Sequence, residues 1–212
     1  MPFEMLLQSP FGFIIWLGAI LIVLTIHEFS HALAAYSLGD ETAKDAGRLT
    51  LNPLAHIDWL GLLTLIFIGI GWGKPVPFNP YNLRNQKWGP SIIALAGPFS
   101  NFITALLCFV ILKLLKITSL LPATNLLIQF LFVLLFLNVV LMLFNLIPIP
   151  PLDGSKFLFA ILSAPKYTNI RSWFETRGTL ILLLIILADS FLGIHILSGF
   201  FEWVIIKISE LI

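Results

Sequence analysis

The sequence has little charge and almost no cysteine. Only 11% of its 212 residues are charged and the net charge is +1, so no basic surface of the kind that binds nucleic acid is expected. The single cysteine, Cys108, cannot form a disulfide within the chain, and its apolar surroundings predict a small buried residue. A long polar stretch is missing from both ends, which gives no sign of a soluble accessory domain.

Apolar sequence is what the chain has in abundance. Hydrophobic residues make up 58% of it and the mean hydropathy is +0.99, which excludes an ordinary soluble core. We therefore predict an all-α integral membrane protein, a polytopic helical bundle. Residues 11–38, 91–112 and 125–147 are each long enough to cross a hydrocarbon layer of about 30 Å. Because no basic region precedes the first apolar stretch, we predict that the N-terminus is retained rather than removed as a signal peptide.

Two shorter segments predict irregular features at one membrane face. Residues 60–70 are apolar but too short for a normal crossing, which favours a re-entrant segment or a short interfacial helix. Residues 48–51 (RLTL) alternate between polar and apolar before a turn signal, which predicts a small strand element at the cytoplasmic face.

The C-terminal tail is ambiguous. Residues 179–208 are long enough for one crossing, but Asp189 and Gly193 interrupt them, so a broken helix and a short hairpin are both allowed. We expect one membrane-embedded domain over residues 1–212, with its core at about 11–165 and a helical tail at 179–212.

The first span carries His27-Glu28-Phe29-Ser30-His31. Two histidines four residues apart on a helix share one face, so both rings can reach a single zinc ion, and Glu28 can reach a water molecule there. Ionisable groups inside a membrane are expensive and therefore predict function. The alternative is a pair of buried, hydrogen-bonded histidines with an unrelated glutamate.

Catalytic zinc usually has three protein ligands, so a third ligand is needed from elsewhere. Asp153 is the best candidate, because it follows the third span at a proline-rich break on the same membrane side as His31. Its alternative role is a helix N-cap. His56 beside Asp58 is either an interfacial histidine or part of a second metal or gating site, and His195 is expected to be structural or interfacial.

The basic residues predict the orientation. If residues 60–70 do not cross, one side collects nine of the twelve: Lys44, Arg48, Lys74, Arg84, Lys87, Lys156, Lys166, Arg171 and Arg177. Because cationic loops stay in the cytoplasm, the motif end of the first span is expected to face the cytoplasm.

Three motifs together carry a resemblance to a known family. HEFSH in the first span, LAGPFSN (95–101) in the second and NLIPIPPLDG (145–154) after the third resemble the site-2 protease family of intramembrane zinc metalloproteases. The resemblance covers about residues 15–165 and is closest to small prokaryotic-type members without a regulatory domain. It implies one zinc ion per chain held by His27, His31 and Asp153. It also implies Glu28 as catalytic base and Asn101 as a substrate-positioning group.

We therefore expect a zinc metalloendopeptidase of the cell membrane that hydrolyses peptide bonds within or next to transmembrane segments, as in regulated intramembrane proteolysis. Its expected partners are a transmembrane protein substrate and the lipid bilayer, and the strand at 48–51 would hold the unwound substrate. Two other functions compete with this one. A zinc-binding membrane regulator without activity would not need Glu28, and a metal transporter would need ligands spread across the bilayer.

Overall fold

A computed structural model of the protein describes residues 2–122, 124–191, 193, 195 and 197–212. These described residues form nine α-helices: α1 (Pro2–Gln8), α2 (Pro10–Ser37), α3 (Thr42–Asp45), α4 (Trp59–Ile68), α5 (Gly89–Thr118), α6 (Leu126–Asn145), α7 (Asp153–Ile161), α8 (Thr168–Phe191) and α9 (Leu197–Leu211). Short 3-10 turns lie in the connecting loops at Pro53–Ala55, Pro80–Asn82 and Pro165–Tyr167. The prediction of an all-α protein is confirmed.

Helices α2, α5 and α6 are long and apolar enough to cross a membrane, with 28, 30 and 20 residues. They correspond to the three predicted spans, although α5 continues to Thr118. Their starts carry ordinary helix signals, since a proline lies in the first turn of α2 and of α5 and the Asn125 side chain caps α6. The protein is therefore a multi-pass membrane protein.

The three long helices bury an apolar cluster between them. Its members are Ala19 and Val23 of α2, Ala105, Cys108 and Leu112 of α5, and Leu131, Leu134, Leu135 and Val139 of α6. Cys108 is thus the small buried residue that the sequence predicts. Small residues let the helices approach closely, which is how helices associate where lipid removes the hydrophobic driving force.

Residues 57–73 form a hairpin that leaves the bundle and returns to the same place. Helix α4 runs outward, Gly69 ends it with a positive φ of 83°, and the chain comes back until Gly73 forms an isolated antiparallel bridge with Ile57. The return is close-packed, because a Cβ on Gly71 would lie 2.5 Å from the Leu65 Cβ. A segment of this shape has both ends on one side, as the re-entrant interpretation of residues 60–70 requires.

The predicted strand at residues 48–51 is wrong. This stretch is irregular because its polar groups bond to distant partners. The Arg48 guanidinium donates to the Lys74 carbonyl oxygen, and the Thr50 carbonyl accepts a hydrogen bond from His56 Nε2 at 2.8 Å. The polar–apolar alternation of RLTL therefore does not mark a strand edge, because burial falls steadily from the buried Arg48 to the exposed Leu51.

The tail forms two helices, α8 and α9. The Asp189 carboxylate near the end of α8 accepts hydrogen bonds from the backbone N–H groups of Leu197 and Ser198, at 2.9 and 3.0 Å, and so caps the start of α9. The predicted interruption of the tail is therefore present, but it follows Phe191, where α8 ends, and Asp189 itself lies within α8. Val204 and other apolar residues of α9 pack against the core cluster, which attaches the tail to the bundle.

The Asp40 carboxylate, fully buried just after α2, ties a distant loop to that helix. It accepts hydrogen bonds from the backbone N–H and hydroxyl of Thr42, from the Asn79 N–H at 2.7 Å and from the Asn82 amide at 2.9 Å. Burial acts to raise the pKa of Asp40, but these hydrogen bonds to the charged form outweigh it and hold the pKa below its usual range. The ionised carboxylate therefore stabilises the fold above the unfolded pKa of about 3.9, and this stabilisation is lost as the pH falls through the lower, folded value.

We predict that Asp40→Asn lowers the free energy of unfolding by about 1–3 kcal/mol at neutral pH, because one of the two oxygens that accept from buried donors becomes an NH₂ group. The difference from wild type shrinks once the pH falls below about 4, where the carboxyl group of the unfolded chain begins to be protonated, and continues to shrink until the pH passes the lower pKa of the folded protein. Thermal unfolding in detergent over a pH series measures both effects. Asp45→Asn, which removes an exposed carboxylate nearby, is the control. Equal stability of Asp40→Asn and wild type at neutral pH would refute this role of Asp40.

Candidate metal centre

The two motif histidines lie one turn apart on α2 and face the interior of the bundle. His27 is 4% exposed and His31 is 7% exposed. Their rings are perpendicular, with centroids 4.6 Å apart, and their Nε2 atoms lie 3.0 Å from each other. The spacing of four residues thus places both side chains at one point, as the sequence predicts.

Asp153 completes this group from the opposite side. Its Oδ2 atom lies 3.2 Å from His27 Nε2 and 3.4 Å from His31 Nε2. Asp153 is the first residue of α7 and Leu152 occupies the N-cap position, so the alternative interpretation of Asp153 as an N-cap is wrong. Within the described residues, these three side chains are the one group of His, Cys, Asp or Glu that could hold a metal ion, with ligand atoms within 4.8 Å of one another.

The turn that presents Asp153 is held by close backbone packing. A Cβ on Gly154 would lie 2.8 Å from the Ile147 carbonyl oxygen, so only glycine fits there. From the other side, Gly178 of α8 admits the Pro150 ring, which would lie 2.7 Å from a Cβ at that glycine. The tail therefore supports the turn that carries the carboxylate.

The hydrogen bonds on the far side of both rings show that the group fits a cation. His31 Nδ1 lies 2.7 Å from the Ile93 carbonyl oxygen, which can only accept, so Nδ1 carries the proton of a neutral ring. His27 Nδ1 lies 2.5 Å from Asn101 Oδ1 in the same manner. Both Nε2 atoms then present lone pairs, and the buried Asp153 Oδ2 has no hydrogen-bond partner. Three acceptors meeting without a proton between them suit a metal that prefers nitrogen and oxygen ligands.

Gly97 makes room for this arrangement. A Cβ at this position of α5 would lie 2.5 Å from the His31 ring and 2.6 Å from the His27 ring. Gly97 lies within LAGPFSN, but no role for it was predicted from the sequence. The signal that could have found it is a glycine inside an apolar helix, where glycine is costly unless another group approaches closely.

Glu28 lies beside the metal group and not within it. The carboxylate is partly buried and lies next to the returning segment of the hairpin, where a Cβ on Gly73 would lie 3.3 Å from Glu28 Oε1. The carboxylate therefore packs closely against the Gly73 backbone, and a larger residue at this position would crowd it.

Asn101 is placed differently from a substrate-binding group. It is fully buried, its oxygen faces His27, and its amide nitrogen donates to Asn138 Oδ1 at 2.9 Å. These contacts join it to a metal-ligating candidate and to the neighbouring helix. They favour a role in orienting His27 over direct contact with a substrate.

Arg48 anchors the hairpin next to Glu28, a role that the sequence analysis missed. The buried guanidinium donates to the carbonyl oxygens of Lys74 and, at 2.9 Å, of Pro75. Burial lowers the pKa of Arg48, and the charge of Glu28 acts in the opposite direction. The two consecutive carbonyls that Arg48 holds fix the position of the chain immediately after Gly73.

The suggested second metal site at His56 is wrong. His56 is only 1% exposed and both of its ring nitrogens have partners, since Nε2 donates to the Thr50 carbonyl and Nδ1 lies 3.4 Å from the Arg48 guanidinium. Asp58 caps α4 by accepting from the Gly61 N–H at 2.9 Å. His195, by contrast, is exposed and its Nδ1 lies 3.3 Å from a serine hydroxyl.

A cavity of about 510 Å³ extends to Gly73, the glycine next to which Glu28 Oε1 lies. It lies between the hairpin, α2, α6 and the tail, and its apolar lining includes Trp16, Ile20, Leu65, Trp72, Leu141 and Phe144. Asp58 and Asp189 are also in the wall. The hairpin therefore separates a mostly apolar cavity from the Glu28 side chain.

A family profile and individual relatives both identify the chain as similar to peptidases. The sequence profile of Peptidase family M50 matches residues 113–188, which include Asp153. The chain is 40% identical over 156 residues to YwhC of Bacillus subtilis (strain 168), named a candidate zinc metalloprotease, and the match covers 72% of this chain and 71% of that protein. Rip2 of Mycolicibacterium smegmatis, named in the same way, is 36% identical over 151 residues, which are 67% of this chain and 55% of Rip2. No solved structure matches.

We predict that Gly97→Ala weakens zinc binding about tenfold or more, because the added methyl group must displace both histidine rings. Chelator competition on the purified protein measures this loss. Gly18→Ala in α2 is the matched control, since its Cβ would meet nothing closer than 4.0 Å. Zinc binding by Gly97→Ala as tight as that of Gly18→Ala would show that the ions are not bound by these histidines.

Proposed function

The chain belongs to peptidase family M50, the site-2 protease family, and we propose that it is a zinc endopeptidase that cleaves peptide bonds within or next to transmembrane segments. The names of its relatives support zinc as the metal and proteolysis as the reaction. We assign the whole of residues 1–212 to one domain, with the catalytic core at about 11–165 and the tail at 179–212. Its partners are a membrane protein substrate and the surrounding lipid.

The observation that carries this proposal is the meeting of His27 Nε2, His31 Nε2 and Asp153 Oδ2 beside a carboxylate that is not part of the group. A purely structural zinc site closes all four positions with protein ligands, whereas a catalytic site has three and leaves one open. Three ligands with Glu28 next to them match the catalytic pattern. We therefore assign one zinc ion to His27, His31 and Asp153.

Held by His27, His31 and Asp153, zinc would supply a Lewis acid that polarises a peptide carbonyl and lowers the pKa of water to about 7. Glu28 takes a proton from the attacking water, and the Gly73 backbone packs against its carboxylate and limits how it can move. The same carboxyl group then gives the proton to the leaving amine. Glu28 is thus the general base of the first step and the general acid of the second.

The substrate class follows from the route to the site. The cavity that reaches Gly73 is lined mostly by apolar side chains and lies on the flank of the spanning helices, so we assign it to an apolar segment that enters from the lipid. Such a segment must unwind locally, because helical carbonyls are already hydrogen-bonded. We therefore propose that the protein performs the membrane-embedded cleavage of regulated intramembrane proteolysis.

The competing functions fit less well. In a transporter the ligands would be spread along a path through the bilayer, whereas the metal-binding group of the described residues lies at one point. A zinc-binding regulator without activity would need the ligands but no base, so Glu28 next to the ligand His27 would serve no purpose.

We place the site near the cytoplasmic face of the cell membrane. The end of α5 that begins at Gly89 lies at the site, because the Ile93 carbonyl bonds to His31. Basic residues cluster near this end, namely Lys44, Arg84, Lys87, Lys156 and Lys166, whereas Lys113 and Lys116 lie at the far end of α5. Cationic loops stay in the cytoplasm, which supports this orientation.

Thiol labelling measures the orientation. We expect a membrane-impermeant maleimide to label Lys87→Cys only in inverted vesicles and Lys116→Cys only in intact cells, since both positions are exposed at opposite ends of α5. The native Cys108 is buried and should give little background. The reverse pattern would place the site on the outer side, and labelling of both positions from one side would exclude α5 as a crossing.

Glu28→Gln tests the reaction itself. We expect the variant to keep its zinc, because the ligands are unchanged, and to lose cleavage of single-span membrane peptides by about 10²- to 10⁴-fold, because the amide accepts no proton from water. Bound zinc and cleavage rates are measured on the same detergent-purified samples. Glu41→Gln, an exposed glutamate before α3, is the control.

Each result of this comparison assigns a cause. Full activity of Glu28→Gln would refute its role as the base, and absence of zinc from wild type would refute the metal site. If wild type holds zinc and cleaves no peptide of a panel that includes helix-breaking sequences, the inactive regulator becomes the better explanation.

A further inference from the structure

One chain of side-chain hydrogen bonds joins the three spanning helices and ends at His27. The Asn138 amide nitrogen on α6 donates to the Leu134 carbonyl oxygen at 2.7 Å, and Asn138 Oδ1 accepts from the Asn101 amide nitrogen on α5 at 2.9 Å. Asn101 Oδ1 lies 2.5 Å from His27 Nδ1 on α2. Both asparagines are fully buried, so no water is available to take the place of a missing partner.

The direction of every hydrogen bond in this chain is fixed from one end. The Leu134 carbonyl can only accept, so the Asn138 NH₂ group must face it and the Asn138 oxygen must face Asn101. The Asn101 NH₂ group then donates to that oxygen, which leaves the Asn101 oxygen to face His27. His27 therefore carries its proton on Nδ1 and presents the lone pair of Nε2 toward Asp153.

His31 reaches the same state by a different route. Its Nδ1 bonds directly to the backbone carbonyl of Ile93, which cannot rotate to offer a donor. The Asn101 side chain can rotate by half a turn and would then present its NH₂ group to His27. The contact with Asn138 opposes this rotation. The tautomer of His27 is therefore set by two side chains, whereas the tautomer of His31 is set by a backbone carbonyl.

We propose that Asn138 is a positioning residue for the metal centre, acting through Asn101 to hold the His27 ring in the tautomer and orientation that bind zinc. This inference rests on the proposed function, because it requires zinc at His27. It adds a residue that touches neither ligand nor substrate and belongs to a helix that contributes no metal ligand. Partners of this outer kind typically change metal affinity about 10- to 100-fold.

The alternative is that the two asparagines only hold α5 and α6 together, as amides in membrane helices commonly do. A variant of Asn101 separates the two roles. In Asn101→Asp both side-chain oxygens accept, so the carboxylate satisfies His27 Nδ1 in either rotation and needs no help from residue 138. If Asn138 orients Asn101, adding Asn101→Asp to a variant that lacks Asn138 should restore zinc affinity. If Asn138 only bonds the two helices together, the second substitution should weaken the protein further.

The test measures the zinc affinity of the full chain in detergent by competition with a chelator of known affinity. We expect Asn138→Leu to bind zinc about 10- to 100-fold more weakly than wild type, and the double variant N138L/N101D to recover most of that loss. The control is Thr104→Val. It removes the partly buried hydrogen bond from the Thr104 hydroxyl to the Ser100 carbonyl oxygen, which lies within α5 and does not involve His27. Its affinity should stay close to that of wild type.

Three results would overturn the inference: unchanged zinc affinity in Asn138→Leu, an equal loss in Thr104→Val, or no recovery in the double variant. Wild type that binds no zinc would instead refute the proposed function. If Asn138→Leu does not accumulate as a folded protein, Asn138→Ala replaces it, because alanine also removes both the donor to the Leu134 carbonyl and the acceptor for the Asn101 amide. The same weakening and the same recovery by Asn101→Asp are then required.

Discussion

The structure depends on placing three proton-free acceptors, His27 Nε2, His31 Nε2 and Asp153 Oδ2, at one point inside an apolar bundle. Such a group is unfavourable in a low-dielectric interior unless a cation joins it and every other polar atom nearby is satisfied. The surrounding chain meets the second condition through hydrogen bonds on the far side of both rings. Gly97 has no side chain, so both histidine rings can pack directly against the backbone of α5.

The catalytic assignment and the hairpin are parts of one arrangement. Glu28 Oε1 lies close to Gly73, whose position is set by the bridge to Ile57 and by the Arg48 bonds to the two following carbonyls. A loop thus supplies one wall of the reaction space and helices supply the other. The same loop forms one side of the apolar cavity, so Gly73 lies next to both the cavity and the Glu28 carboxylate.

Local patterns in the sequence predicted most of this arrangement. Long apolar runs located the spans, the four-residue spacing placed His27 and His31 on one face, and the break before Asp153 located the third acceptor. The strand at 48–51 failed because Arg48 bonds to Lys74, which lies 26 residues away and leaves no local pattern. The role of Gly97 was missed for the same reason, since it lies in a contact between helices. Asp40 likewise gains its partners only when residues 79–82 fold back to it.

The unequal support of the two histidines has a consequence for how such a chain can diverge. The Ile93 carbonyl belongs to the backbone, so any residue at position 93 supplies it and no substitution there removes the partner of His31. The partner of His27 is encoded by two side chains on two helices. Mutations at positions 101 and 138 can therefore change the metal affinity in small steps during evolution, while the ligands themselves stay the same.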